Sequence, residues 1–327
     1  MSTWLDRLMF NPLEFLLGST GASLPFFTKR DLLGEDAGHT PTLWTSPEAV
    51  AIIGRQKPDG RWRYPGGGRA RIRSAEDYDQ LETYRQLGLL VEEFGFDRTH
   101  PAMRKAAQFL FGHQTGEGDF RGIYGQQYSP NYTAGILELL VKAGYGEDGR
   151  IDRGFRWLLS IRQEDGGWAI PLRTNLASLH KGWTEVLNSE PLHPDFSKPF
   201  SHLVTGVVLR AFAAHDRYRR SDEAQVAGEL ISGRFFKADT YIDRKSPEFW
   251  GKVSFPFWFT DVVSTLDSLS LLGLRPDSPG IEGALDWLAA RQARNGPFRL
   301  KLLRTRDKNL NRWVCLAACR VFKRFYG

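Results

Sequence analysis

The sequence predicts an all-α protein in which helical hairpins close into an α/α toroid, with an inner ring of helices inside an outer one. Two observations carry this prediction. A short unit that contains a glutamine recurs along the 327 residues, and a more apolar helical stretch follows each unit. Repeats of this length, each made of a pair of helices, are typical of quasi-repetitive helical architectures.

The recurring unit consists of an apolar helical run, a glutamine, a turn that contains glycine and an aromatic residue. The units lie at residues 50–62, 106–120, 153–168 and 284–298, with glutamines at Gln56, Gln114, Gln163 and Gln292. A glutamine amide can bond backbone groups exposed at a helix end, and glycine supplies the positive φ of a tight exit. We therefore expect each unit to staple its helix to the following segment. The last gap has room for a further unit, without glutamine, which should end near residues 232–236.

Five other stretches are more apolar and richer in small residues than the helices that end in glutamine. Helices that are apolar nearly all round are enclosed by other helices, so we expect these five to form the inner ring. They span residues 78–96, 131–145, 202–218, 259–274 and 312–326.

Length and composition fit one toroid without an interdomain linker. Apolar residues make up 41% of the chain and ten residues are tryptophan, which is ample for a large core. We expect residues 1–45 to form an N-terminal capping segment and residues 46–327 a single α/α-toroid domain of about five to six hairpins. No run approaches the roughly 18 apolar residues of a membrane span. The start also lacks the pattern of a secretory signal, so the sequence predicts a cytoplasmic protein.

The net charge of +6 is scattered along the chain. Its local concentrations, at residues 61–73, 216–220 and 300–308, accompany no nucleic-acid-binding motif. A solvated basic face is therefore favoured, and nucleic acid is not an expected partner. An anionic membrane surface, which would hold the protein peripherally, is the second interpretation. The apolar N-terminal stretch fits a core-covering cap better than an interfacial helix, because Pro12 interrupts it.

Several motifs resemble those of a known superfamily. The stretch RGFRWLLSIRQEDGGW at 153–168 is similar to the QW motif of triterpene cyclases. The repeat layout resembles the terpenoid cyclase and protein prenyltransferase superfamily over nearly the whole chain. NPLEFLLG, DGRW, DGGW, FPFWFTDVVSTLDSLSLLG and NRWVCLAACRVFKR look like landmarks of bacterial prenyltransferase/squalene-cyclase-repeat proteins of about this size, a group without a settled activity. The resemblance implies the toroid and leaves the reaction open, because function depends on the site.

Candidate acids lie where the chain enters the inner helices, since these entries converge on the central cavity. Class II cyclases of the superfamily protonate their substrate with a DxDD motif, which this chain lacks. The stretch EDYDQLE at 76–82 is the nearest substitute and offers Asp77, Asp79 and Glu82, with Asp261 as a further candidate. A carboxyl in an apolar pocket can stay protonated and act as an acid. Helix capping by Asp77 or Asp79 is the simpler alternative, because capping needs nothing but position.

Aromatic residues at the same entries are candidate substrate contacts, because aromatic faces stabilise cations. Plain packing between helices is the alternative. His202 lies at another entry, and Trp183 belongs to the long segment 169–200, which is either a cover of the cavity mouth or an inert excursion. The aromatic candidates are Tyr78, Tyr84, Tyr132, Phe257, Trp258 and Trp313.

No metal and no soluble cofactor are expected. Zinc-dependent prenyl transfer in this fold needs an aspartate, a cysteine and a histidine, but no cysteine lies two residues after Asp261, and Trp313 stands where a histidine would be wanted. DDxxD, P-loop and GxGxxG motifs are absent. Cys315 and Cys319, four apart on one helix, are expected to be free buried thiols.

Three functions remain open from the sequence. The first is a terpene-cyclase-like enzyme that folds an isoprenoid in an aromatic cavity and starts cyclisation by protonation. The second is a non-catalytic toroid that binds a lipid or a peptide. The third is a carbohydrate-active enzyme, a glycoside hydrolase or lyase, which would need two carboxyls about 5–10 Å apart across an open cleft. In the first two cases the expected partner is a hydrophobic small molecule, such as an isoprenoid or another lipid, or a peptide.

Overall fold

The computed structural model describes residues 3–66, 74–175, 183–303 and 309–327, with the backbone alone described at 183 and 184. The helices are α1 (Leu13–Leu17), α2 (Ser23–Thr28), α3 (Pro47–Ile53), α4 (Ala75–Phe94), α5 (Pro101–Phe111), α6 (Pro130–Leu140), α7 (Gly149–Ser160), α8 (Pro171–Thr174), α9 (Trp183–Asn188), α10 (His202–Ala214), α11 (Asp222–Ser232), α12 (Val262–Leu271), α13 (Pro279–Ala289) and α14 (Leu310–Tyr326). Strands β1 (Lys252–Val253) and β2 (Lys301–Leu302) pair in parallel. Short 3-10 segments cover Trp4–Arg7, Thr40–Thr45, Tyr218–Arg220 and Pro247–Gly251, and π turns cover Lys29–Leu33 and Val141–Tyr145.

The inner ring is formed by α4, α6, α10, α12 and α14, each packed on the next in this order. Helix α2 packs on both α14 and α4 and completes the ring between the last inner helix and the first. The prediction of an all-α toroid is confirmed, and the predicted inner stretches coincide with these helices to within a few residues at each end. The place of α2 in the ring is a difference from the sequence prediction, which treated residues 1–45 only as a cap.

The outer layer is formed by α3, α5, α7, α11 and α13, each packed on the inner helices. In α7, Ile151, Phe155 and Leu158 are buried, whereas Arg153 and Arg156 face solvent. This apolar stripe is what a one-sided helix needs in order to bury its face against the ring. Helix α11 ends where the unit without glutamine was predicted to end, so that prediction is confirmed.

The recurring glutamines bond two segments at once. Gln56 Nε2 donates to Gly60 O in its own turn at 2.9 Å and to Ala102 O at the start of α5 at 2.8 Å. Gln114 makes the equivalent two bonds at the same distances, the second to the start of α7. Gln163 donates instead to two carbonyls of the segment before α10, at 2.8 and 2.9 Å. The predicted role of these glutamines as staples is confirmed.

The aromatic residue that ends a unit is bonded to the inner ring, which the sequence did not reveal. Its backbone N–H donates to the hydroxyl of a threonine on an inner helix, so the turn is fixed to the ring as well as to the next outer segment. The pairs are Trp62 with Thr83 at 2.9 Å, Phe120 with Thr133 at 3.0 Å and Trp168 with Thr205 at 2.8 Å.

The last unit closes the outer layer onto the N-terminal segment. Gln292 Nε2 donates to Phe10 O at 2.6 Å and to Gly296 O at 2.9 Å, and Gln292 Oε1 accepts from Phe10 N at 2.9 Å. Trp4 and Leu16, on either side of Phe10, are buried. The N-terminal segment therefore occupies the position that the next outer helix has in the earlier units.

We expect Gln292→Ala to release the N-terminal segment, because the substitution removes the bonds that hold Phe10. The loss in the free energy of unfolding should be about 1–3 kcal/mol, since buried backbone groups lose their partner. Limited proteolysis should show faster cleavage near Phe10. Gln56→Ala loses bonds of the same kind and is the control: it should cost similar stability without exposing the N-terminal segment. Equal cleavage in the two variants would contradict this view of ring closure.

Two smaller predictions concern the helices themselves. Cys315 and Cys319 are buried free thiols on α14, as predicted. Among the described residues, no helix combines the length and the hydrophobicity that crossing a bilayer requires.

Candidate functional site

An aromatic pocket of about 210 Å³ lies at the N-terminal ends of the inner helices. Helices α4, α6 and α10 contribute to its wall, together with the segment that leads into α12. The aromatic lining residues are Tyr84, Tyr124, Tyr132, Trp258 and Phe259. The other lining residues are Asn131, Ile170, Leu203, Val204, Val207, Asp243 and Arg244. The structure thus brings together three of the predicted substrate contacts, Tyr84, Tyr132 and Trp258.

The rings meet mainly edge to face. The Tyr84 ring centroid lies 5.3 Å from that of Trp258 and 6.2 Å from that of Tyr132, with interplanar angles of 77° and 85°. Tyr124 packs on Tyr132 at 5.5 Å. These rings form a packed and largely apolar wall. The pocket is therefore suited to a hydrophobic ligand.

Glycines on the inner helices make room for these rings. A Cβ on Gly88 of α4 would lie 2.4 Å from the Trp258 ring, and one on Gly135 of α6 would lie 2.5 Å from the Tyr84 hydroxyl. Glycine inside a helix costs roughly 1 kcal/mol relative to alanine. This cost is offset by the close approach of the aromatic side chains, which the small residues of the inner helices permit.

Asp261 stands at the N-terminus of α12, two residues after the lining residue Phe259, and is not itself among the described lining residues of the aromatic pocket. Its Oδ1 caps the helix by accepting from Ser264 N at 2.8 Å. Its Oδ2 is buried and has no hydrogen-bond partner, and the residue is fully buried. Burial raises the pKa of Asp261 to about 7, against the lowering effects of the Ser264 hydrogen bonds and the Arg210 charge. This carboxyl can hold a proton at neutral pH, which is the requirement for an acid.

The rim of the pocket is polar. Arg173 holds Asp243 through hydrogen bonds of 2.8 and 3.0 Å, and the guanidinium carbon of Arg244 lies 3.4 Å from the centroid of the Phe259 ring. Arg244 has φ of 54°, a left-handed conformation that is uncommon for a residue with a side chain. The rim therefore presents a cation beside an aromatic wall.

The long segment 169–200 reaches the pocket. Ile170 lines it, and α9 docks beside Tyr124, with Gln126 N donating to Leu187 O at 2.8 Å. Gln127 Nε2 donates to Val186 O at 2.7 Å. Trp183 begins α9, but its side chain lies outside the described part of the chain, so its predicted contact with substrate stays a prediction.

The predicted acids of the first inner helix are engaged in structural bonds and are not among the lining residues of the aromatic pocket. Helix α4 is capped by Ser74, and Asp77 completes the capping box by accepting from Ser74 N at 3.0 Å. Asp79 Oδ1 accepts from Tyr64 N at 2.8 Å, and its Oδ2 lies 3.4 Å from Arg61 Nε. The expected capping role is thus confirmed for Asp77 as the N3 member of the capping box, whereas the N-cap itself is Ser74, because the helix begins a turn earlier than predicted.

Two further candidates from this helix lie beside these acids. Glu82 is buried, with Oε2 3.1 Å from Arg85 Nη1 and Oε1 accepting from Gln86 Nε2 at 2.6 Å. The Tyr78 ring packs on that of Tyr64, with centroids 5.1 Å apart. Catalytic or binding roles for these residues remain predictions.

The remaining candidates pack elsewhere in the ring. Trp313 stacks on Phe255 at 5.3 Å and lines a separate pocket of about 230 Å³. Phe257, half-buried, also packs on Phe255, at 5.6 Å. His202 is buried 4.7 Å from Trp250, and burial lowers its pKa. None of these is among the lining residues of the aromatic pocket in the described part of the chain.

Sequence reasoning missed Tyr124, Arg244 and Arg210. Tyr124 and Arg244 lie in loops, where no periodicity indicates which way a side chain faces. Arg210 did leave a signal, since it is the lone charge in the apolar helix HLVTGVVLRAFAA. A single cation in a helix enclosed by others must find a buried partner, and this one does.

Comparison with known proteins gives partial sequence matches. No family model matches the chain. It is 28% identical over 153 residues to a squalene–hopene cyclase of Bradyrhizobium diazoefficiens, which covers 46% of this chain and 21% of that protein. It is 33% identical over 97 residues to a terpene cyclase–glycosyl transferase fusion protein of Humicola fuscoatra, 29% of this chain and 7% of that protein. The chain thus spans about a fifth or less of the length of these relatives.

Solved structures give a weaker likeness. A type II terpene cyclase from Scytonema, MstE, in complex with merosterolic acid A aligns with 92% of this chain and 98% of its own, at 12% identity and a TM-score of 0.37. A protein from Actinoplanes aligns with 88% of this chain and 100% of its own, at 14% identity and a TM-score of 0.32. These scores are low, and the relationship rests on the sequence matches. The resemblance to terpenoid cyclases predicted from the motifs is confirmed by those matches.

Proposed function

We propose that the protein binds an isoprenoid, or a similar unsaturated hydrocarbon chain, in the aromatic pocket and protonates it through Asp261. The observation that carries this proposal is the state of that carboxyl. Asp261 is fully buried, its Oδ2 has no hydrogen-bond partner, and it lies two residues after the pocket residue Phe259. A protonated acid beside an aromatic wall is the minimum apparatus for protonation-initiated cyclisation.

The chemistry balances without a cofactor. The π electron pair of a substrate double bond takes the proton from Asp261 Oδ2, so that a C–H bond forms and the O–H bond breaks. Positive charge appears on the other alkene carbon, and attack by a second double bond closes a ring. Loss of a proton from a carbon next to the final cation, or capture of water followed by loss of a proton, ends the reaction. The proton returned to solvent replaces the one that Asp261 gave.

The aromatic lining supports the cationic stage of this reaction. Tyr84, Tyr132 and Trp258 belong to the pocket wall, and aromatic faces stabilise cations by about 0.5–2 kcal/mol each. The volume limits the ligand, because pockets that bury drug-sized molecules measure about 300–1,000 Å³. A pocket of about 210 Å³ accommodates a short chain, or one end of a longer chain that leaves past Asp243 and Arg244.

The relatives support the same ligand class. The partial match to a protein named squalene–hopene cyclase connects this chain with isoprenoid chemistry. A carbohydrate-active site is less well supported, because Asp243, the one carboxylate among the described lining residues, is already paired with Arg173. Paired carboxyls across an open cleft, as glycoside hydrolysis requires, are not found in this lining.

Native mass spectrometry of the purified protein, with extraction of bound lipid, tests the proposal. An isoprenoid should co-purify, and incubation of the protein with polyprenyl alcohols and hydrocarbons should give cyclised products in gas chromatography–mass spectrometry. An isoprenoid that binds and is returned unchanged would favour the non-catalytic lipid-binding toroid. An empty pocket, without a thermal shift on addition of polyprenyl compounds but with one on addition of oligosaccharides or peptides, would overturn the proposal.

A further inference from the structure

A row of alternating charges crosses the inside of the ring and ends beside the segment that carries Asp261. Glu92 Oε1 lies 2.6 Å from Lys142 Nζ, Lys142 Nζ lies 2.8 Å from Glu138 Oε1, and Glu138 Oε2 lies 3.0 Å from Arg210 Nε. We call these four residues the ion chain. Its first two members line a charged cavity of about 650 Å³ at the C-terminal ends of the inner helices. The ion chain therefore links the charged end of the toroid with its aromatic end.

The inner half of the ion chain is shielded from water. The side chains of Arg210 and Glu138 are 2% and 5% exposed. Burial raises the pKa of Glu138, but the charges and hydrogen bonds of Arg210 and Lys142 outweigh it and leave the pKa below its usual value. Glu138 is thus ionised, and Arg210 is held by a fixed negative charge in a medium where charges interact strongly.

The inner end of the ion chain is Arg210, whose guanidinium group lies near the segment that carries Asp261. Arg210 Nη1 donates to Phe259 O at 3.3 Å, two residues before Asp261. Arg210 Nη2 and Asp261 Oδ2 are both buried and have no hydrogen-bond partner. Buried polar atoms without partners are rare, and each calls for a physical reason. Here one is a donor, the other an acceptor, and the Arg210 charge acts on the Asp261 carboxyl.

We infer that Arg210 is a positioning residue that balances the charge Asp261 acquires when it gives up its proton, and that Glu138 and Lys142 hold Arg210 for this task. The inference rests on the proposed function, in which the Asp261 proton goes to a substrate carbon. The carboxylate left behind lies in an apolar interior, where an unbalanced charge is costly. Arg210 supplies the opposite charge from a fixed position, so nothing has to reorganise during the reaction.

Other titratable groups surround the ion chain and act on the charges of its members. Tyr84 on α4 and Asp261 act on Arg210, and Asp267 on α12 acts on Lys142. Asp267 is itself paired with Arg324 of α14. These groups therefore share with the ion chain in setting the electrostatic environment of Arg210 and Lys142.

The test is the titration midpoint of the Asp261 carboxyl in the ligand-free protein, followed by NMR of aspartate labelled with ¹³C at the carboxyl carbon. The spectrum of Asp261→Asn identifies its signal. Arg210→Met removes the opposite charge and should raise the midpoint by at least about one pH unit. Glu138→Gln removes a negative charge that offsets Arg210 and should lower the midpoint. General loss of packing cannot shift the midpoint in opposite directions in the two variants.

Two further variants complete the test. Arg210→Lys keeps the charge and should return the midpoint toward the wild-type value. Arg121→Met is the control, because Arg121 pairs with the fully buried Asp119 at 3.0 Å outside the ion chain. It should leave the midpoint unchanged. Equal midpoints in wild type, Arg210→Met and Glu138→Gln would overturn the inference. Because no substrate is present, shifted midpoints in a protein without turnover would uphold this inference and count against the proposed function.

Discussion

Asp261→Asn is expected to lower turnover of an isoprenoid substrate by about 10²- to 10⁴-fold, the usual contribution of a positioned acid. Binding of the substrate should remain, because asparagine has nearly the same shape. The cap of α12 should remain as well, since the asparagine oxygen can still accept from Ser264 N and Asn caps a helix about as well as Asp. Turnover assays and isothermal titration calorimetry on the same preparation measure the two effects.

Asp79→Asn is the matched control, because Asp79 belongs to the stretch at 76–82 that the sequence offered as the nearest substitute for DxDD. Its carboxylate bonds Tyr64 N and pairs with Arg61. Asparagine keeps an acceptor for Tyr64 and loses only the ion pair, which should cost up to about 1 kcal/mol of stability. Turnover should stay near the wild-type value. Loss of turnover in Asp79→Asn together with normal turnover in Asp261→Asn would make Asp79 the acid.

The raised pKa of Asp261 also predicts a dependence on pH. Turnover should fall as pH rises through about 7, because only the protonated carboxyl can give a proton. Stability follows the same group. Its pKa is about 7 in the folded protein and near the ordinary 3.8 in the unfolded chain, so the folded state binds more protons between these values. The free energy of unfolding should therefore decrease as pH rises through this window, and in Asp261→Asn this decrease should be absent.

The fold could be predicted because the same short sequence pattern recurs several times along the chain. Each of the four units with a glutamine ends in that glutamine, a turn and an aromatic residue, and the stretch that follows is apolar nearly all round. These signals depend only on neighbouring residues. The role of α2 in the ring could not be read in this way, since its six residues, SLPFFT, carry too short a pattern to indicate a position between α14 and α4.

The site could be predicted only in part, because a residue's position at a helix entry does not fix which way it faces. Tyr84, Tyr132 and Trp258 line the pocket. Tyr78 and Asp79, which lie on α4 like Tyr84, instead contact Tyr64 in the segment before α4. Successive residues of a helix are rotated by about 100° from one another, so the residues of one helix entry face different directions. Asp261 was named among the acids, but its burial, which sets its pKa, depends on α10 and the rest of the ring.

Trp168→Ala is expected to be the most destabilising substitution among the staples, with a loss of about 3–5 kcal/mol in the free energy of unfolding, as for other buried large aromatics. Trp168 is fully buried, and its indole Nε1 donates to Leu158 O at 2.6 Å. Its backbone N donates to Thr205 Oγ1 on α10. The indole ring also packs on Phe212 of α10 at 5.5 Å, so the side chain joins the end of an outer helix to the inner ring, and alanine leaves a cavity between them.

Trp168→Phe and Trp287→Ala separate the causes of this loss. Phenylalanine keeps most of the apolar volume and loses the indole hydrogen bond, so its cost should be clearly smaller than that of alanine. Trp287 is only partly buried, on the outer helix α13, where it packs on Arg291 and Phe236. In denaturant unfolding, Trp287→Ala should lower the free energy of unfolding less than Trp168→Ala does.

The closed ring also predicts how Trp168→Ala unfolds. Because the outer layer is closed by Gln292 and Phe10, the ring has no free end from which to fray, and Trp168→Ala should lower the midpoint of one cooperative transition. A separate early transition, or equal losses for the two tryptophans, would contradict the view that the staples hold the toroid as one unit.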